Sequence, residues 1–414
     1  MLNRRLLRAV APVAALALAL SACADDNKDK VKKGASAVAS GASAVASGAS
    51  QAGSAVGGNS VKIGFMGDLT GENSGIVIPA RNGAKMAIDQ YNATNPAVKI
   101  EMVEYDSKAD PTTAVALAQQ AIKTDKIVGL VGPAFSGESA QVGPVLEEAK
   151  IPSITMSATN AKLAANGWKY WHRMLAGDSV QGPGIGEWIA GPAAKKNVFV
   201  IDDKSEYGKP LADFVRKVLT DKGIKFESDS IDPAESDYST AVNKAVAFKP
   251  DAIFFGGYYA AAGKLLKQLR DKGVKDATFV SGDGSLDKGL VEGAGAANAD
   301  GAIVGCPCLI GGSDAPDPKV AKFAVDYKAA FNADPAIYAA EGYDSSSMFI
   351  AAIKAGNTTA EAINTFLVTA DVPGVSKQMK FGPNGEVSAT DTYIYQVKGG
   401  KIALLGNSKD AKLG

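Results

Sequence analysis

Two hydroxyl-bearing turns are the part of the sequence best suited to chemistry. One runs through Gly132-Pro-Ala-Phe135-Ser136-Gly-Glu-Ser139 and the other through Thr155-Met-Ser-Ala158-Thr159-Asn160. Each follows a short apolar run and breaks at small residues before a helical pattern resumes. In an α/β sheet this places Ser136 and Thr159 at the carboxyl ends of neighbouring strands, next to free helix N-terminal N–H groups. Such a place holds a small anion, for example a carboxylate. Either residue could instead be a plain helix N-cap.

Other chemistries have less to work with. The chain has one histidine, His172, so a histidine-based metal site or a Ser-His-Asp triad would have to run through it. It lies between Trp171 and Arg173 on an apolar run and reads as structural. No Gly-x-Ser-x-Gly elbow, Walker A loop or complete Gly-x-Gly-x-x-Gly fingerprint occurs, so no enzyme class, metal or cofactor is indicated. Cys306-Pro-Cys308 allows a local disulfide, two free thiols or two metal-binding thiolates. The bridge would close a very small ring.

The elements that must position the two turns alternate. Strand patterns fall at 61–67, 98–105, 127–131, 151–155, 197–201, 226–231, 251–255 and 278–281. Helical patterns fall at 79–92, 112–124, 139–149, 184–190, 209–222, 238–248, 260–272, 319–332, 343–355 and 359–369. Asp110-Pro111 marks a helix start, an N-cap followed by proline at the first helical position. Residues 379–397 read as strands around the turn Gly382-Pro-Asn-Gly385. Alternation of this kind argues for an α/β fold with parallel sheets and right-handed crossovers. Two such series, with a return of helices and strands, predict two lobes with a ligand cleft between them.

Composition fits a soluble globular protein. Of 414 residues, 46% are hydrophobic and 21% charged, with a formal net charge of +0. Without Arg4, Arg5 and Arg8 the balance is −3, from 41 basic and 44 acidic residues. That leaves no basic field for a nucleic acid.

The three arginines precede an apolar stretch, 9–20, too short to span a bilayer, which ends in Leu20-Ser-Ala-Cys23. This looks like a bacterial lipobox. The resemblance implies a signal peptide over 1–22, cleavage before Cys23 and a diacylglycerol thioether on its sulfur. An ordinary secretory peptide with an incidental cysteine is the other reading. Residues 23–59 open with charges and continue in Gly/Ala/Ser/Val near-repeats. They lack large apolar groups and read as a flexible tether.

From Val61 onward the chain resembles the leucine/isoleucine/valine-binding proteins of the type I periplasmic solute-binding family. The motifs are Tyr105-Asp106 with Asp110-Pro111, Gly132…Ser136, Ile151-Pro…Ala158-Thr159, Asp178-Ser-Val-Gln-Gly182 and Asp203-Lys-Ser-Glu-Tyr207-Gly208. Gly256-Gly-Tyr258, Gly282-Asp283-Gly284 and the Gly382–Gly385 turn follow in order. The resemblance implies a two-lobed Venus-flytrap fold with three crossovers, and delivery of ligand to an inner-membrane ABC permease by a monomer tied to the membrane through its lipid. It divides the chain into a first lobe (60–178, returning at 309–380) and a second (179–308, returning at 381–414).

It also implies roles for particular residues. Ser136 and Thr159 hold an amino-acid carboxylate, and the Ala158 carbonyl accepts from the ammonium. Asp283 pairs with that ammonium, and Tyr207, Tyr258 and Tyr338 are aromatics around the ligand. Tyr338 could equally be core, and Gly282-Asp-Gly284 only a tight turn. Asp283 stands where the leucine-type proteins commonly have glutamate. Phe135 occupies a position expected to be smaller and would narrow the pocket, and loop 70–78 lacks an aromatic. These departures keep open a receptor for another amine, amide or γ-amino acid. An extracytoplasmic enzyme on the same fold would need a base for Ser136.

Overall fold

The structure is a computed structural model that describes residues 59–413. The signal peptide, Cys23 and nearly all of the tether lie outside the described residues. The first sheet is wholly parallel, in the order β2-β1-β3-β4-β5, with β1 at Ser60–Gly67, β2 at Lys99–Asp106, β3 at Gly129–Val131, β4 at Ser153–Thr155 and β5 at Trp171–Arg173. The second sheet runs β14-β13-β10-β9-β8-β6-β7. Its parallel part is β6 (Asn197–Asp202), β7 (Lys225–Ser230), β8 (Ala252–Gly256), β9 (Thr278–Ser281) and β10 (Ile303–Cys306). A two-stranded ribbon, β11 (Val372–Pro373) and β12 (Gln378–Met379), precedes the antiparallel pair β13 (Tyr393–Lys398) and β14 (Lys401–Asn407).

Local chemistry explains many boundaries. Helix Pro111–Gln120 starts where Asp110 Oδ1 accepts from Thr113 N at 2.6 Å, and proline, lacking the N–H, fills the first position. Helix Gly208–Asp221 buries Leu211, Ala212, Val215, Val218 and Leu219 along one face and exposes Lys209, Asp213 and Lys217. Central strands β6 and β8 are buried on both faces, so Val198–Ile201 and Ala252–Phe255 read as continuous apolar runs.

Each sheet reverses its winding once. From β1 the chain steps outward to β2, then back past β1 to β3; from β6 it steps to β7, then back to β8. Loops after β1 and β3, and after β6 and β8, therefore diverge and leave a crevice at the carboxyl ends of the strands.

Some features differ from the sequence expectation. Strands β5, β10, β11 and β14 lie outside the expected strand patterns. β5 is only three residues long and carries His172 and Arg173, yet all three are buried because a late segment covers its outer edge. Gly385 O accepts from Arg173 N at 2.8 Å, and Val387 N donates to Arg173 O at 3.3 Å. The chain thus stays beside the first sheet through Val387, past the expected boundary at 380/381, before joining the second sheet as β13. Gly385 permits this approach: it has φ +78°, and a Cβ there would lie 2.2 Å from the Trp171 carbonyl oxygen. Helix Asp178–Ala190 begins six residues before the expected start, because Gly182, Pro183 and Gly184 disguise its first turns. Among the described residues, no helix is long and apolar enough to cross a membrane.

Candidate functional site

On the first lobe, the two hydroxyl turns are stitched to one another. Thr155 Oγ1 donates to the Pro133 carbonyl at 2.7 Å, and Ser157 Oγ donates to the Ala134 carbonyl at 2.7 Å. Ser136, the first residue of helix Ser136–Ala149, accepts from Asn160 N at 3.3 Å. Glu138 lies behind the first turn, fully buried. It accepts from Phe135 N at 3.2 Å and from the Ser107 hydroxyl. Burial pushes its carboxyl up to about 7, against those two hydrogen bonds. The fully buried Arg173 guanidinium holds the second turn by donating to the Ala158 carbonyl at 3.2 Å and the Asn160 carbonyl at 2.9 Å. It also pairs with Glu386.

The second lobe supplies aromatics and an acid. Tyr207 follows β6, Tyr258 follows β8 and Asp283 follows β9. Tyr207 Oη donates to Asp283 Oδ1 at 2.6 Å, and Tyr338 Oη, from the first lobe, donates to Oδ2 at 2.6 Å. Burial raises the Asp283 pKa, while these phenols oppose it; burial and the Asp283 charge raise Tyr207 and Tyr338. Phe135 meets Tyr258 edge-on across the cleft, with ring centroids 5.1 Å apart, and Tyr258 leans on Tyr207 at 5.0 Å.

Six of the eight residues named from the sequence line one cavity: Phe135, Ser136, Tyr207, Tyr258, Asp283 and Tyr338. Its volume is about 10 Å³, room for roughly one water. Ala158 and Thr159 lie behind its wall, and Ser157 lines it with Ile76 and Val77 from the loop after β1. Sequence reasoning missed Ser157, Arg173 and Gln181. The adjacency of Ser157 to Thr159 was the available signal for the first, but which residue of a turn faces the cleft depends on where the turn bends. A larger groove of about 640 Å³ lies on the first lobe near Met86, Phe323 and Tyr343, apart from these residues.

His172 is apart from the site. It is buried in β5, its ring 4.7 Å from Phe381 and Nδ1 3.3 Å from the Ser153 carbonyl. Desolvation lowers its pKa to about 4. Cys306 ends β10, and Cys308 follows with its Cα 5.1 Å away and the two sulfurs at bonding distance. Among the described residues, no cluster of three or more His, Cys, Asp or Glu side chains is arranged to hold a metal ion.

Residues 60–401 match the family model described as periplasmic binding protein. The leucine-, isoleucine-, valine-, threonine- and alanine-binding protein of Pseudomonas aeruginosa is 28% identical over 350 residues, 83% of this chain and 92% of that protein. The branched-chain amino acid transporter substrate-binding protein of Streptococcus pneumoniae, solved with isoleucine, superposes with a TM-score of 0.76. It is 27% identical and covers 84% of this chain and 99% of its own. The leucine-binding protein of Thermotoga maritima gives a TM-score of 0.77 at 26% identity, with 84% and 98% covered. With both hydroxyl turns and the acidic, aromatic wall meeting at the switch points of two such sheets, the chain belongs to the periplasmic binding protein family and has its type I, two-lobed fold.

Proposed function

We propose that the protein is the extracytoplasmic solute-binding component of an ABC importer and that it holds an amino acid between its lobes, which must part to admit one because the cavity of about 10 Å³ is too small for it. The observation that carries this reading is Asp283, a fully buried acid gripped by Tyr207 and Tyr338 and facing the Ser136 and Ser157 hydroxyls. A zwitterion needs both faces: donors for its carboxylate, and an anion for its ammonium. Desolvating either charge unpaired costs several kcal/mol. Ser136 serves the carboxylate with Ser157 beside it, and Thr159, behind the wall in this closed form, would join them only when the turn is uncovered. Asp283 takes the ammonium. The Ala158 carbonyl is a weaker acceptor for it, because Arg173 already engages that oxygen.

The related proteins that bind leucine, isoleucine and valine support an apolar amino acid as ligand. Phe135, Tyr258, Tyr338, Ile76 and Val77 would surround its side chain. The shorter acid at 283 and the bulk of Phe135 favour, as a second reading, a compact amine or γ-amino acid. Binding without turnover fits the same site: the buried His172 is remote from Ser136 and is no base for it. Lipidation at Cys23, a tether over 23–59, an inner-membrane permease as partner and a monomeric state complete the proposal.

Calorimetry with leucine, isoleucine, valine, phenylalanine and γ-aminobutyrate tests it. Saturable binding of at least one α-amino acid is the expected result. Silence with all the α-amino acids refutes the main reading, and binding of γ-aminobutyrate alone selects the second.

A further inference from the structure

The Cys306–Cys308 disulfide has no part in the roles given above, yet it stands where the chain leaves the second lobe. Cys306 is the last residue of β10 and is paired in register with Tyr393 of β13. The next element is helix Pro318–Phe331, which lies on the first lobe: Tyr327 Oη donates to the Pro79 carbonyl at 3.3 Å, and Phe323 and Tyr327 are buried with Met86. Residues 307–317 are therefore a crossing between the lobes, and the bridge closes over its first step. The return crossing, just before β13, is tied to the start of helix Asp178–Ala190: Thr392 Oγ1 donates to the Val180 carbonyl at 3.4 Å.

Two observations connect the bridge to the closed cleft. Tyr395 Oη donates to the Cys308 carbonyl at 3.0 Å and accepts from Ile310 N at 2.9 Å, so one phenol pins the crossing on both sides of Leu309. Beyond the pin, Leu309, Ile310 and Gly311 share a small cavity of about 40 Å³ with Tyr338, the residue that donates across the cleft to Asp283. Both cysteines are buried in the same apolar cluster as Ile337 and Tyr338.

A ring closed across Pro307 leaves residues 306–308 few backbone states. In the closed form this takes little away, because Tyr395 and the cluster already fix the segment. Opening must bend the crossings, and there the bridge removes freedom that a reduced chain would regain. Reduction returns that entropy to the open form and shifts the population towards it.

We propose that the Cys306–Cys308 bridge is a redox-sensitive stop on the hinge: oxidised, it holds the protein towards the closed form, and its reduction by a dithiol favours opening and loosens the ligand. The step balances: the S–S bond breaks, the two cysteine sulfurs take up two electrons and two protons, and the dithiol that supplies them closes to its own disulfide. Both cysteines are buried, so a reductant reaches them when the hinge opens. A ligand that holds the lobes together therefore protects the bridge, the reciprocal of the bridge's effect on the ligand. The effect on affinity rests on the reading of the ligand as an amino acid; the opening of the ligand-free protein does not.

The full chain is measured as purified, after dithiothreitol and after reoxidation, with its thiols counted each time. Small-angle scattering of the ligand-free protein should give a larger radius of gyration once two further thiols appear, and the original one on reoxidation. Calorimetry with the tightest binder among leucine, isoleucine, valine and phenylalanine should show a Kd about tenfold weaker in the reduced form. Saturation with that amino acid should slow the appearance of the thiols. Cys306→Ser with Cys308→Ser should match the reduced protein and ignore dithiothreitol. Unchanged scattering on reduction overturns the proposal without any variant, and so does an unchanged Kd for an amino acid that binds. A bridge that dithiothreitol cannot open, or an equal response in the double variant, overturns it too. Silence with every amino acid refutes the amino-acid reading alone, and scattering still decides the hinge.

Discussion

The two walls of the cleft are built on opposite principles. On the first lobe, most polar groups of the turns bond one another within the wall: Ser157 bonds Ala134, Thr155 bonds Pro133, Ser136 bonds Asn160, and Arg173 and Glu138 brace the turns from behind. On the second, Asp283 draws one of its two phenol donors, Tyr338, from across the cleft. The first wall makes its hydrogen bonds within one lobe, and the second completes its own only across the cleft. On the proposed reading, ligand recognition and closure would be linked through Asp283.

That contrast can be broken, and the largest effect is expected at Asp283. Asp283→Ala should cost about 3 kcal/mol or more of amino-acid affinity, over a hundredfold by calorimetry, because it leaves a buried ammonium unpaired. Unchanged affinity would place the amine elsewhere. Next comes the brace of the first wall. Glu138 has its folded pKa raised from 4.5 to about 7, so the native state binds more protons than the unfolded one between those values. Stability must then fall as pH rises through that window, by about 3 kcal/mol in total. Glu138→Gln should flatten this part of the curve, as read by denaturant unfolding at pH 5 and pH 8; a slope that persists in the variant assigns it to other groups.

Tyr338→Phe removes the phenol that crosses the cleft and spares the first wall. A loss of about 1–2 kcal/mol, roughly tenfold in Kd, is expected, with a more open ligand-free form by small-angle scattering. An equal loss without any opening would make Tyr338 a local support only. The smallest effect belongs to Ser136→Ala, about 1 kcal/mol, since Asn160 N loses its acceptor but the other stitches between the turns remain. A larger loss would show that the first wall is less self-sufficient than its hydrogen bonds suggest.

Much of this was legible in the sequence. Alternating apolar runs and amphipathic helices give the two sheets, and Asp110-Pro111 gives its helix start. The resemblance named Asp283, Tyr207, Tyr258 and Tyr338, which the fold brings to one cavity from β6, β8, β9 and the returning chain. What stayed hidden depends on distant partners. Strand β5 is three residues that pair with a segment more than two hundred positions later, and no local pattern announces it. Nothing near Arg173 in the sequence announces Glu386 and the two carbonyls that surround it. Gln181 joins Asp178 and Asp283 only because a crossover carries it between the lobes.

The edge of β5 also sets an order of events. The segment Gly385–Val387 that covers it, and helix Ala339–Lys354 that packs on helix Ile78–Ala93, come late in the chain. The first lobe, begun earliest, is completed only after the chain has built most of the second. Contacts of such sequence separation are slow to form, so the nascent first lobe must wait, with Arg173 unpaired and its core half-covered, until nearly the whole polypeptide is available.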